Sequence, residues 1–316
     1  MDTLRLEGGG RVIDLYPWLS AKAQGVQALA GIVGFGLPGV ENQWFDNGPA
    51  GYNWKQSRVP RRTISLPLRV YAANRADLNA LLSDLAVALD PFTPQATSGD
   101  RNGVARLFFA DPEGYEWFVD VVRTGGGDWA RKKDSDDRTY FKTTLELEAG
   151  DPFWTRAIPE EFTVWQEAPA STPLLPRMAK LRVQNSITSA EAYRTVYNTG
   201  DLPAWLIFTA EGPLDGFDLY GSEVFEPGFI WPDGYIPEFV AWGSGDPLLE
   251  GETLTVNMRE HTIEDQSGAN RYPDLWQPPR FFSIPPGESQ IGVQMWGTTL
   301  ASRLRAQYWP RRWAVV

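Results

Sequence analysis

Six carboxylates crowd one stretch of the second half of the chain: Asp215, Asp218, Glu223, Glu226, Asp233 and Glu238. A glycosidase needs two carboxyl groups about 5–9 Å apart across a cleft, one as acid and one as base or nucleophile. A calcium site needs about six to eight oxygens drawn from such groups. The stretch lacks the Asp-x-Asp-x-Asp-Gly spacing of a calcium loop, so a solvated acidic loop is the favoured reading. No metal and no cofactor is expected. His261 is the only histidine, and cysteine is absent. That excludes disulfides, thiolate nucleophiles and zinc–thiolate centres, and leaves a Ser-His-Asp triad a single candidate base. His261 lies just after a strand in Asn257-Met258-Arg259-Glu260-His261-Thr262 and is read as structural. With so few acid–base groups the chain is expected not to be an enzyme.

Aromatic residues offer a different chemistry. Trp231, Tyr235 and Trp242 fall in a Gly/Pro-rich region, where exposed rings would stack on the apolar faces of sugars. The opposing reading is that they pack beneath long loops, as tryptophans commonly do. The glycine groups Gly8-Gly9-Gly10, Gly34-Phe35-Gly36 and Gly125-Gly126-Gly127 are read as turns. None follows a buried strand and opens a helix, the context a phosphate loop requires.

Charge narrows the partners. The net charge is −11, of which residues 1–155 carry −3 and residues 156–316 carry −8. Such a balance repels polyanions, so specific nucleic-acid binding is not expected. It suits a surface past which nucleic acid slides without sticking. The start of the chain, Met1-Asp2-Thr3-Leu4-Arg5, lacks the basic and apolar regions of a secretory signal. The least polar stretch, residues 25–40, is too short and glycine-broken to span a bilayer, so no membrane insertion is expected.

The elements that would position these groups are nearly all strands. At 316 residues two domains are expected, placed at 1–158 and 159–316. Residues 4–7 and 11–14 read as a hairpin across the glycine turn. Residues 62–70 alternate through Ile64, Leu66, Leu68 and Val70, with Pro67 marking an edge or a bulge. Residues 104–109 and 116–122 flank the turn sequence Asp111-Pro112-Glu113-Gly114. The strand at 140–149 stops at Gly150-Asp151-Pro152-Phe153-Trp154 and reads as the closing edge of the first domain. One helix is predicted from Arg75 to about Leu89, with Asn74 as its cap and a stripe of Leu78, Leu81, Leu82, Leu85 and Leu89. Residues 159–176 read as a linker or extended crossover. Beyond them come short strands at 180–184, 194–197, 204–210, 253–258, 289–296 and 303–308, the spacing of a β-sandwich or jelly roll.

In this order the elements resemble the distal tail protein family, the tail-tip components of siphophages. The resemblance rests on the strand after Arg61-Arg62, the leucine helix, the Asp111–Gly114 hairpin and the Gly150-Asp151-Pro152-Phe153-Trp154 corner. Val196-Tyr197-Asn198-Thr199-Gly200-Asp201 and the ending through Tyr308-Trp309-Pro310-Arg311-Arg312 extend it over nearly the full chain. The resemblance implies a mainly β protein with an N-terminal tail-tube-like domain carrying one helix and a C-terminal galectin-like β-sandwich. It implies a virion component at the distal end of the tail, assembled in the host cytoplasm as a homo-oligomer, a hexameric ring. Its partners would be the tail tube protein, the tail-tip hub protein and the tape measure protein, with DNA passing through the lumen. Ring contacts are expected at Leu78 and Leu82 of the helix, at the hairpins of residues 104–122 and 123–148, and at Arg131, Lys132 and Lys133. The alternative reading is an adhesion module whose C-terminal sandwich binds host cell-wall glycans through Trp231, Tyr235 and Trp242.

Overall fold

Residues 3–16, 24–92, 103–128, 140–165, 189–221, 238–243 and 247–315 are described by the structure, a computed structural model. They divide into two units: Met1–Ile158 with Arg311–Val316, and Pro159–Pro310.

The first unit is built on β1 (Thr3–Gly8), β2 (Arg11–Asp14), β3 (Gly25–Ala28), β4 (Glu41–Asp46), β5 (Tyr52–Arg58), β6 (Arg62–Tyr71), β7 (Ala105–Ala110), β8 (Glu116–Gly126), β9 (Tyr140–Ala149) and β10 (Trp154–Arg156). Seven of these form a sheet in the order β2-β1-β7-β8-β9-β6-β3. Its two ends meet at a parallel bridge between Leu15 and Val26, where Tyr16 N donates to Val26 O at 3.2 Å, so the sheet nearly closes into a barrel. Alternation decides what fills it. Ile64, Leu66, Leu68 and Val70 of β6 meet Leu6, Leu107, Val119, Val121 and Leu147 in one buried core.

Helix α1 (Arg75–Ala88) begins where its sequence says. Asn74 Oδ1 accepts from Asp77 N at 2.9 Å, and Asn74 Nδ2 donates to Asp77 Oδ2 at 2.8 Å. Leu78, Leu85, Ala88 and Leu89 enter the core, and the helix packs on β1, β2 and β6. Gly9, at φ 55°, turns the β1–β2 hairpin directly beneath the carbonyl of Val87, where a Cβ would overlap it.

Two strand expectations need correction. The strand ending in Gly150 is β9, which lies between β8 and β6 rather than at an edge, because both its sides are hydrogen-bonded. Pro67 also lies between two neighbours. The N–H and C=O of one strand residue face the same neighbour, and the carbonyl of Pro67 accepts from Leu29 N. Its missing donor therefore faces the interruption between the end of β3 at Ala28 and the bridge of Val33 to Ser65.

The second unit is a sandwich of two sheets. Its strands are β11 (Glu160–Trp165), β12 (Ser189–Asn198), β13 (Ala204–Glu211), β14 (Gly216–Tyr220), β15 (Phe239–Trp242), β16 (Thr253–Asn257), β17 (Thr262–Asp265), β18 (Ser283–Ile284), β19 (Gly287–Trp296) and β20 (Arg303–Tyr308). One sheet runs β11-β20-β13-β16-β17, with β18 beside β13; the other runs β12-β19-β14-β15. Leu206, Phe208, Val256 and Leu304 from the first pack against Phe217, Leu219, Val240, Ile291, Val293 and Met295 from the second. The start of the expected linker is a strand, because Phe162 and Val164 of β11 alternate onto this core while its backbone pairs with β20. The expected strand at 180–184 lies outside the described residues. Buried Asn198 ties the sandwich edge, with Nδ2 donating to Leu202 O (2.8 Å) and Ile284 O (3.0 Å), while Oδ1 accepts from Gly200 N (2.9 Å).

The last residues depart from the expected boundary. After Pro310 the chain rejoins the first unit, where β21 (Arg311–Arg312) pairs with β10. Arg311 Nη2 clamps both oxygens of Asp151 at 2.5 and 2.6 Å. Phe153 and Trp313 meet edge to face at 4.9 Å. Val315, buried, donates its N–H to Phe35 O. Arg62, 3 % exposed, donates to Trp313 O (2.5 Å), Pro152 O (2.5 Å), Gly34 O (2.6 Å) and Gly36 O (2.7 Å). Ending the chain at Pro310 removes a strand pair, a bidentate ion pair and a buried valine together. Thermal unfolding of that truncated chain, followed by near-UV dichroism, is expected to show the first unit melting lower by about 10 °C or more. An unchanged melt would show that the returning segment only rests on the unit.

Candidate assembly surface

The surface that stands out in the first unit is the hairpin of β4 and β5. It forms a two-stranded sheet of its own, and every residue of both strands is exposed. Its tip is a short turn at Gly48–Ala50, where Asn47 N donates to Gly51 O at 2.7 Å and Gly48 N to Asp46 Oδ1 at 2.8 Å. Side chains brace the ribbon. Arg58 pairs with Glu41 at 2.6 Å, Gln56 Nε2 donates to Gln43 Oε1 at 3.0 Å, and Trp54 Nε1 donates to Ser57 Oγ at 3.0 Å.

The register pairs Trp44 with Trp54 and Asp46 with Tyr52, past a shift after Gln43. Opposed residues of an antiparallel pair share a face, so Trp44, Trp54 and Tyr52 line one side. Phe45 lies on the other, with Lys55 Nζ 5.1 Å above its ring. Exposures of 57 % for Trp44, 56 % for Phe45, 69 % for Tyr52 and 59 % for Trp54 leave more than half of each uncovered. Val33, Leu37 and Val40, just before the ribbon, are also exposed. A two-stranded ribbon is marginal by itself. One with bare aromatics and two open edges presents unpaired backbone groups and apolar rings together, which makes it the candidate assembly surface.

The expected interface residues fall elsewhere. Leu78 is 1 % exposed and belongs to the core, so it is not available to a neighbour; Leu82 is half-buried against the same core. Leu78, Leu85 and Leu89 of the stripe are buried in the first unit's core, and Leu81 packs half-buried against it as Leu82 does. The hairpin at 104–122 is β7 and β8, both within the barrel wall, and its turn is held by Asp111, which accepts from Tyr115 N (2.8 Å) and Trp117 Nε1 (3.0 Å). Arg131, Lys132 and Lys133 lie outside the described residues, as do Trp231 and Tyr235. Trp242 is fully buried, stacked on Phe217 at 5.6 Å, so neither face of its ring is open to a sugar. Periodicity does not mark the ribbon, because Glu-Asn-Gln-Trp-Phe-Asp has no alternating hydrophobic face. The available signal was Asn47-Gly48 flanked by two aromatic pairs, Trp44-Phe45 and Tyr52/Trp54.

Among the described residues, the groups weighed for catalysis do not assemble. Asp215 lies ahead of β14 against Gly297, whereas Asp218 is within the strand and accepts from Tyr220 Oη at 3.2 Å. Burial pushes the Asp218 carboxyl up from its ordinary value. Glu223, Glu226 and Asp233 lie outside the described residues, and Glu238 is exposed. His261, at φ 57°, stacks on Phe281 at 4.6 Å and meets Trp205 edge to face, ring neighbours rather than a nucleophile and an orienting acid. Among the described residues no three or more His, Cys, Asp or Glu come together to hold a metal, and no helix is long and apolar enough to cross a membrane.

Compared by sequence, the chain matches no family model and no curated protein. Compared by fold, it is similar over almost its whole length to solved structures, among them the following two. The Dit protein of phage SPP1, described as a paradigm of the hub adsorption apparatus in phages infecting Gram-positive hosts, aligns with a TM-score of 0.58 at 12 % identity, covering 96 % of this chain and 98 % of that one. A chain of the phage P2 baseplate, in its activated conformation with calcium, aligns with a TM-score of 0.50 at 8 % identity, covering 99 % of this chain and 98 % of that one. The fold is that of the phage tail-tip and baseplate hub proteins that the order of sequence elements resembles.

Proposed function

We propose that the chain is a structural component of a phage tail tip. Its first unit closes a hexameric ring with further copies, joining the tail tube to the host-facing hub around a lumen through which DNA passes. The observation that carries this reading is the bare aromatic ribbon of β4 and β5, within a fold shared along its length with Dit. A closed head-to-tail ring needs a patch on each copy that fits a different patch on the next, and a projecting ribbon is a patch of that kind. The second unit is read as a galectin-like sandwich carried by the ring. Tail tube, hub and tape measure proteins are the expected neighbours in the virion, and scaffolding of this kind requires no catalytic group.

Light scattering across a concentration series, with negative-stain images of the largest species, tests the reading. The expected species has six times the 35.4 kDa mass of the chain and an open centre. A mass that stays monomeric at every concentration, alone and with tail tube protein added, overturns it.

A further inference from the structure

The second unit presents an organised surface on the outer face of its four-stranded sheet. Alternation in β14 and β19 sends Phe217, Leu219, Ile291, Val293 and Met295 into the core, so Asp218, Tyr220, Gln294 and Trp296 stand on the outer face of the four-stranded sheet. The register aligns them, with Gly216 opposite Trp296, Asp218 opposite Gln294 and Tyr220 opposite Gly292. The two glycines let rings lie down on the sheet. A Cβ at Gly216 would overlap the Trp296 ring, and one at Gly292 would sit 3.2 Å from the Tyr220 ring. Trp276 extends the Trp296 end, its ring 5.4 Å from that of Trp296, and it is 61 % exposed. Phe239 extends the other end, stacked on Tyr220 at 6.5 Å. A polar centre, Asp218 with Gln294, is thus flanked on both sides by aromatic rings, over about 13 Å from Trp296 to Gly292 at the rise of a strand.

We propose that this face binds a short neutral oligosaccharide. A pyranose ring has C–H-rich faces, which pack on aromatic rings, and a rim of hydroxyls that need donors and acceptors. Rings at both ends and a carboxylate–amide pair between them meet both needs. Asp218 is already oriented by the Tyr220 hydroxyl at 3.2 Å, and a carboxylate has about four acceptor positions, so that contact does not exhaust it. Hydrogen bonds from sugar hydroxyls to the carboxylate are charge-assisted, the stronger kind. The same carboxylate, on a half of the chain with net charge −8, repels phosphate-rich or uronic polymers and selects for uncharged sugars. The site lies on the outer face of the sheet whose inner face holds Trp242.

The full chain is titrated with cellotriose, maltotriose, chitotriose and N-acetyllactosamine, following tryptophan fluorescence and saturation-transfer NMR. At least one probe is expected to bind with a Kd of about 0.1–1 mM. Asp218→Asn and Trp276→Ala are each expected to weaken that binding about tenfold or more. Neither should move the melting temperature, since Asn is isosteric with Asp and Trp276 is mostly exposed. A Trp44→Ser/Trp54→Ser chain should bind the sugar unchanged. No saturable signal with any of the four probes, or binding that both site variants leave intact, overturns the proposal.

Discussion

Replacing Arg62 with methionine is expected to lower the melting temperature of the first unit by roughly 10 °C. The guanidinium is 3 % exposed and donates to four backbone carbonyls from three separate segments: Gly34 and Gly36, Pro152, and Trp313. Trp154 lies beside it, its ring centroid 6.0 Å from the guanidinium carbon. Burial alone works against the charge and lowers the Arg62 pKa to about 10, so the group is still protonated at neutral pH. Methionine removes that desolvation cost but leaves the carbonyls behind. Replacing a whole buried polar cluster with apolar groups is often neutral, whereas removing one member strands the others. Several carbonyls deprived of a charged donor amount to about 3–5 kcal/mol. At about 2–4 °C per kcal/mol for a unit of this size, a shift near 10 °C follows. Arg62→Lys keeps the charge but not the planar fork that reaches four directions, and is expected to recover less than half. The pH dependence has its own sign. The folded pKa of about 10 lies below the ordinary arginine value, so as the pH rises above about 10 the unfolded chain binds more protons and this group's contribution rises with pH; below 10 it is flat. Differential scanning calorimetry of the methionine variant decides the matter, and a melt within about 2 °C of the parent would show that the carbonyls find other partners.

Residue type does not distinguish Arg62 from Arg61 beside it, which is exposed and pairs with Glu148 at 2.6 Å. Parity separates them. Arg62 shares the inward face of Ile64 and Leu66, and the alternation that located β6 would have flagged it as a buried charge needing partners. What local pattern could not supply was the partners, because Trp313 lies 251 residues away and reaches Arg62 only through the return of the chain after Pro310. The same limit explains other misses. Helix α1 was legible to its cap because its signals lie within one turn of each other. The β13, β16, β19 and β20 strands were legible because each alternates against a core. Whether β9 was central or at an edge was not, since neighbours in a sheet are set by chain segments distant in sequence. The leucine stripe showed that α1 would pack on something, but not whether that something was its own barrel or another copy. Trp242 posed the same ambiguity, and its stack on Phe217 settles it as core. The ribbon at 41–58 shows no strand period for the opposite reason: every residue of both strands is exposed, so no core imposes one, and only its turn and aromatics mark it.

That lack of a core makes the ribbon the place to test the proposed assembly. The double change Trp44→Ser/Trp54→Ser is expected to leave the chain folded and to abolish the ring. The two residues are opposed across the ribbon and more than half exposed, and Trp54 donates to the Ser57 hydroxyl, so little of either side chain is held by the fold of one chain. Surface substitutions of that kind change stability by about 0.5 kcal/mol or less. Tryptophans at the centre of an interface cost about 2–4 kcal/mol each when truncated, which makes the pair worth about a thousandfold or more in the affinity of each contact. A closed ring repeats the contact at every joint, so the loss compounds around it. The signature is a divergence of two measurements: an unchanged thermal melt and dichroism spectrum beside a light-scattering mass that falls to 35.4 kDa. Leu82→Ser gives the contrast. Its side chain packs against the first unit's core, so it should lower the melt while the folded fraction still assembles. Rings that survive the tryptophan change would move the interface off the ribbon. Rings lost only with Leu82→Ser, at an unchanged melt, would return it to the helix, because a core leucine cannot be truncated without cost to its own fold and an interface leucine can.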